Sequence, residues 1–97
     1  MAANHKLTGV LRGRKVTATE THAGMLLVHL DDGSTMTVRT GGPVPKPFPS
    51  GSVQGVRQQG TRLSLDFEDG TSVDIPLAEE TSSVMVRDRG GAMEYAD

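Results

Sequence analysis

No cysteine occurs anywhere in the chain. A disulfide framework, a thiolate metal site and a thiol nucleophile are therefore excluded. Tryptophan is absent too, and the aromatics are Phe48, Phe67 and Tyr95 alone. A core must come from Val, Leu, Ile and Met, and with 35% apolar residues it is expected to be thin. No stretch approaches the ~18 apolar residues of a membrane span. The opening MAANHKLTGVLRGRK is positive but lacks the apolar run of a secretory signal. The expectation is a cytoplasmic protein with no membrane contact.

What is present is punctuation. Residues 1–97 suit a single domain. Within it, LDDGSTMTV at 30–38 returns as FEDGTSVDI at 67–75. Aligning Asp32-Gly33 with Asp69-Gly70 lays residues 15–38 over 52–75 without a gap, at an offset of 37 (52 − 15 = 37). Val16 meets Val53, Leu26 meets Leu63, Val28 meets Leu65 and Leu30 meets Phe67. Met36 meets Val73, and Val38 meets Ile75. Fixed-period similarity of this kind implies one supersecondary unit used twice about a pseudo-twofold axis.

Each copy reads as a three-stranded meander. Leu26, Val28 and Leu30 alternate with Leu27, His29 and Asp31, and Leu63, Leu65 and Phe67 alternate with Ser64, Asp66 and Glu68. Period two is the signature of a strand with one buried face. A two-residue Asp32-Gly33 loop would send Met36 and Val38 to the face opposite Val28 and Leu30. A three-residue loop, Asp31-Asp32-Gly33, pairs Val28 with Met36 and Leu26 with Val38, and keeps all four together. The second copy then pairs Leu65 with Val73 and Leu63 with Ile75. Gly33 and Gly70 are expected to be left-handed, each closing a type I turn with a bulge. A His22-Ala23-Gly24 loop would place Ala18 opposite Val28. In the second copy Gly60 comes one place early, which suggests a shifted register. Val53 and Val56 can both face inward only across a bulge near Gly55.

Outside the repeats, residues 40–51 hold four of the five prolines and read as a connector. A polyproline-type docking peptide is the other reading of PVPKPFP. Residues 83–96 read as a C-terminal hairpin with Val86 opposite Met93 and Val84 opposite Tyr95. PLAEETSS suggests a helical turn, and KLTGVLRG a short strand. The fold class is all-β: a small antiparallel barrel or two-sheet sandwich of six to eight strands, built from two pseudo-symmetric meanders plus that hairpin. LSLDFEDGTSVDIPL, residues 63–77, resembles the L-x-F-x-D-G…D-L hairpin of a small bacterial family of unknown function. The resemblance implies a hairpin and nothing about activity.

Candidate chemistry is sparse. Asp31, Asp32, Glu68 and Asp69 recur at equivalent turns, where Asp bonds local backbone. General acid–base work would need one of them buried. His5, His22 and His29 lack a metal-ligand spacing, and no nucleophile elbow or phosphate loop occurs. No catalytic residue, metal or cofactor is assigned. Residues 1–46 carry 6 − 3 = +3 and residues 47–97 carry 4 − 9 = −5. The basic cluster Arg12, Arg14, Lys15, with Arg39, is the candidate nucleic-acid or anion site. The expected function is a non-catalytic binding or regulatory module with a protein partner or a homo-oligomeric form. The alternatives are a nucleic-acid-binding small barrel and a small hydrolase using carboxylate or histidine.

Overall fold

The computed structural model describes residues 2–97. The chain runs β1 (Ala2–Ala3), α1 (His5–Leu11), β2 (Val16–His22), β3 (Met25–Leu30), β4 (Thr35–Arg39), β5 (Val53–Gln59), β6 (Arg62–Phe67), β7 (Ser72–Pro76), β8 (Val84–Arg87) and β9 (Met93–Ala96). Two antiparallel sheets form, β2-β3-β4-β8-β9 and β1-β5-β6-β7. The molecule is a sandwich rather than a closed barrel. Among the described residues there are nine strands, one more than the upper sequence estimate, because Ala2–Ala3 adds a two-residue strand.

The three-residue turns form as the apolar pattern requires. Val28 lies opposite Met36 and Leu26 opposite Val38; Leu65 lies opposite Val73 and Leu63 opposite Ile75. Gly33 and Gly70 take φ of 87° and 90°. A Cβ at such angles costs about 1–2 kcal/mol, which is why glycine stands at both places.

The twofold relation extends to individual hydrogen bonds. Val16 N donates to Gly51 O at 3.0 Å, and its counterpart Val53 N donates to Arg14 O at 2.9 Å. At the other side Gly41 N donates to Pro76 O at 3.0 Å, and Ala78 N to Arg39 O at 2.9 Å. Single bridges there pair equivalent residues, Lys15 with Ser52 and Thr40 with Leu77. A residue bridged to its own counterpart is what a twofold axis produces. These two seams tie the sheets together at opposite corners without merging them.

The first hairpins correct the sequence reading. Their loops have two residues, with His22 opposite Met25 and Gln59 opposite Arg62. Both copies bulge at the same place, between Val16 and Ala18 and between Val53 and Gly55. The bulge near Gly55 was expected, and it buries both Val53 and Val56. The second copy is not shifted relative to the first. In the first copy Thr19, not Ala18, faces Val28.

Segments outside the repeats differ more. KLTGVLRG is helical through Leu11 and then turns at Arg12 and Gly13, rather than forming a strand. Asn4 caps it by accepting from Leu7 N at 3.0 Å, and Leu7 and Leu11, one turn apart, drop into the core. No helical turn forms in PLAEETSS. Ser83 instead ties the bend, accepting from Glu79 N at 3.0 Å and donating to Glu79 O at 2.8 Å. The C-terminal hairpin has an extra residue in β9, so Val86 faces Tyr95 and Arg87 faces Met93. β8 then lies beside β4, with Met36 opposite Val86 and Val38 opposite Val84. The connector packs Val44 and Phe48, both partly buried, against the core.

Nineteen hydrophobic residues are buried among those described. The core is fuller than the composition suggested. The helix adds Leu7 and Leu11, and the hairpin adds Val84, Val86 and Tyr95.

Candidate functional site

Inward-facing residues of the two repeats match closely, but outward-facing ones do not. On the five-stranded sheet, strand register sets Glu20, Leu27, Thr37, Met85 and Ala96 in one row across the outer face. Met25 and Arg39 follow in the next row, and Met93 lies near the third. Counterparts on the other sheet are Arg57 for Glu20, Ser64 for Leu27, Asp74 for Thr37 and Arg62 for Met25. That second face is a closed polar network. Arg57 grips Asp66 through Nε and Nη2, both at 2.8 Å, and Ser64 donates to Asp74.

The first face keeps apolar side chains in water. Met25 is 38% exposed and Met93 51%. A groove of about 480 Å³ opens there, lined chiefly by Met25, Thr37, Arg39, Val84, Met85 and Ala96. Methionine is unbranched and polarisable, and suits surfaces that adapt to a partner. Single exposed apolar residues need no explanation, but Met25, Val84, Met85 and Ala96 line one groove together.

The basic residues proposed from the sequence do not assemble. Arg14 is enclosed in a network. Its Nη1 and Nη2 donate to Glu94 at 2.7 and 2.8 Å, its Nε lies 3.1 Å from Asp32, and Nη1 also donates to Ser34 Oγ at 3.0 Å. Arg12 shares a small groove with Glu68, and Lys15 adjoins Asp31, whose Oδ1 accepts its backbone N–H at 3.1 Å. Arg39 stands at the far end of β4 from that turn, on the rim of the apolar groove.

The Arg14 network has a pH signature. Hydrogen bonds from Arg14 hold the Glu94 carboxyl below its ordinary range, and Glu94 in turn raises the guanidinium. The stabilisation from Glu94 is thus present above the unfolded carboxyl value of about 4.3 and is lost as pH falls through the lower folded value. Arg14 and Glu94 side chains are 20% and 27% exposed, so the screened contribution is about 1 kcal/mol. In thermal melts from pH 7 to 3, wild type is expected to lose more stability than Glu94→Gln. Parallel curves would contradict the assignment.

The paired acids are turn residues. Asp32 accepts from the Ser34 hydroxyl and from Ser34 N at 3.0 Å, and Asp69 from the Thr71 hydroxyl at 2.6 Å and from Thr71 N at 2.9 Å. The hydroxyl bonds first, then the backbone ones, hold both carboxyls low. His22 and His29 share Glu20, at 3.4 and 2.6 Å, while His5 lies in α1. No group of three acids or histidines suited to a metal occurs among the described residues. No described helix is long and apolar enough to cross a membrane.

No family model, curated protein or solved structure matches the chain. The contrast between its two repeats therefore stands in for a comparison with relatives. The inner faces agree because they share one core. The outer faces differ: Leu27 is half-buried, whereas its counterpart Ser64 is fully buried and donates to Asp74. Sequence reasoning placed Leu27 outward but did not weigh it against Ser64, the signal that reveals this face.

Proposed function

We propose that the chain is a non-catalytic binding module that docks another protein through the outer face of its five-stranded sheet. The groove lined by Met25, Val84, Met85 and Ala96 carries this reading; of these only Met25 has a counterpart in the second repeat, and that is the charged Arg62. A side chain of the partner fills the groove, and Arg39 and Asp97 in its lining set orientation. Apolar anchors in a pocket within a polar rim are the usual anatomy of such contacts. Two further observations support a non-catalytic role. Asp32 and Asp69 are engaged in their own turns, and His22 and His29 pair with Glu20 on an open surface.

Affinity capture from the cell of origin tests the proposal. Wild type and Asp74→Lys, altered on the polar sheet, are expected to retain the same protein. Met85→Lys is expected to lose it, with binding weakened at least about a hundredfold and thermal stability changed by no more than about 0.5 kcal/mol. Undiminished capture by Met85→Lys would overturn the reading.

A further inference from the structure

The sandwich has four strand edges, and three are closed by the chain itself. β1 is two residues long. β9 runs beside α1, and Asn4 Nδ2 donates to Tyr95 Oη at 3.1 Å. β7 ends in Pro76, which has no N–H to give. It is the repeat counterpart of Arg39 of β4, which by contrast donates its N–H to Ser83 O at 2.7 Å and so holds the neighbouring segment. Proline at a strand edge is a standard block to further pairing.

β2 bulges after Val16, whose N–H goes to Gly51 O at 3.0 Å, but from Ala18 to His22 it has none of these devices. Its seven residues, Val16–His22, contain no proline and no lysine, and β3 is its only strand neighbour. The two-residue turn directs the main-chain groups of Ala18, Glu20 and His22 toward β3, so those of Thr19 and Thr21 face outward. Within the same molecule, the equivalent edge of β5 is filled. Val56, the counterpart of Thr19, accepts from Asn4 N at 2.9 Å, and Gln58, the counterpart of Thr21, faces Ala2. Beside β2, where the counterpart of that added strand would lie, there is a groove of about 470 Å³ between Thr21 and His22 on one side and Pro43, Val44 and Lys46 on the other.

We infer that β2 pairs antiparallel with β2 of a second copy of this chain, joining two five-stranded sheets into one. Register favours a self-complementary contact. Centring the twofold axis on Glu20 would set two carboxylates directly opposite, which is unfavourable. Centring it on Thr19 pairs Thr19 with the partner's Thr19 and Glu20 with the partner's Ala18, within the regular stretch that follows the bulge. Cross-strand threonine pairs are favourable, and the only carboxylate in the strand is already paired with His29 and His22. This contact uses the edge of the sheet and is independent of docking on its outer face.

Light scattering across serial dilution, together with amide exchange, tests the inference. Wild type is expected to show a dimer mass that falls on dilution, and the Thr19 and Thr21 amides to exchange more slowly as concentration rises. Thr19→Pro removes an outward N–H without breaking the β2–β3 ladder, and Ala18→Lys places a cation in the contact. Both are expected to be monomeric, while Met85→Lys on the sheet face remains dimeric. If Thr19→Pro does not fold, Ala18→Lys and the wild-type exchange data carry the test. A wild type monomeric at every concentration, or a dimer that survives Ala18→Lys with unchanged Thr19 exchange, would overturn it.

Discussion

Phe67→Ala is expected to lower unfolding stability by about 3–5 kcal/mol, a large part of what a domain of this size possesses. Phe67 is 1% exposed and is the only fully buried phenylalanine among the described residues. It faces Val53 across the bulge in the second repeat, at the place Leu30 holds in the first. Removing the ring deletes apolar contact and leaves a void that rigid strands on either side cannot fill. Leu30→Ala should cost less, about 2–4 kcal/mol, because a smaller group is lost. Urea denaturation of both variants checks the order, and a smaller loss for Phe67→Ala would place the core elsewhere.

Gly41→Ala should destabilise the protein by about 1–3 kcal/mol, as overpacking typically does. A Cβ at Gly41 would lie 2.6 Å from the carbonyl oxygen of Leu77. That carbonyl belongs to the seam where Thr40 bridges Leu77, and backbone atoms there cannot rotate aside as a side chain can. The counterpart, Ala78, already carries a Cβ at the matching position and is exposed. Ala78→Gly should therefore change stability by only a few tenths of a kcal/mol to about 1 kcal/mol. Equal effects at the two positions, read from denaturant midpoints, would argue against a tight contact at Gly41.

The parts of the fold legible in the sequence are those where a one-residue error would move several apolar side chains. Loop length at Gly33 and Gly70 is such a case, since only one choice keeps Val28, Met36, Leu26 and Val38 on one face. The bulge near Gly55 is another, because Val53 and Val56 both demand burial. Its partner in the first repeat was hidden, since Thr17, Ala18 and Thr19 offer no apolar contrast. The C-terminal register failed because an extra residue in β9 accompanies the reach of Glu94 to Arg14, a contact made across 80 positions of the chain. α1 was missed although Leu7, Val10 and Leu11 have helical spacing behind an Asn cap. A helix of seven residues gives little pattern to read.

The candidate surface was half legible. Leu27 and Met25 follow directly from the strand register, and so does the contrast with Ser64 and Arg62. Met85 and Ala96 reach the same face only because β8 docks beside β4, and no local pattern specifies that neighbour. Arg14 shows the converse. Grouped with Arg12 and Lys15 as a free cation, it is instead held by Glu94, Asp32 and Ser34 from distant segments.

All of this rests on two equivalent meanders joined edge to edge at paired corners. Amide hydrogen exchange on the wild-type protein, read residue by residue, reaches those corners directly. The amides of Val16 and Val53 at one corner and of Gly41 and Ala78 at the other are each bonded across to the opposite repeat or its flank. All four are expected to exchange slowly, close to the rates of β3 and β6 amides, although Val16 and Val53 begin their strands and Gly41 and Ala78 lie beyond the ends of β4 and β7. Exchange of these four at the rates of exposed loop amides would contradict the twofold assembly.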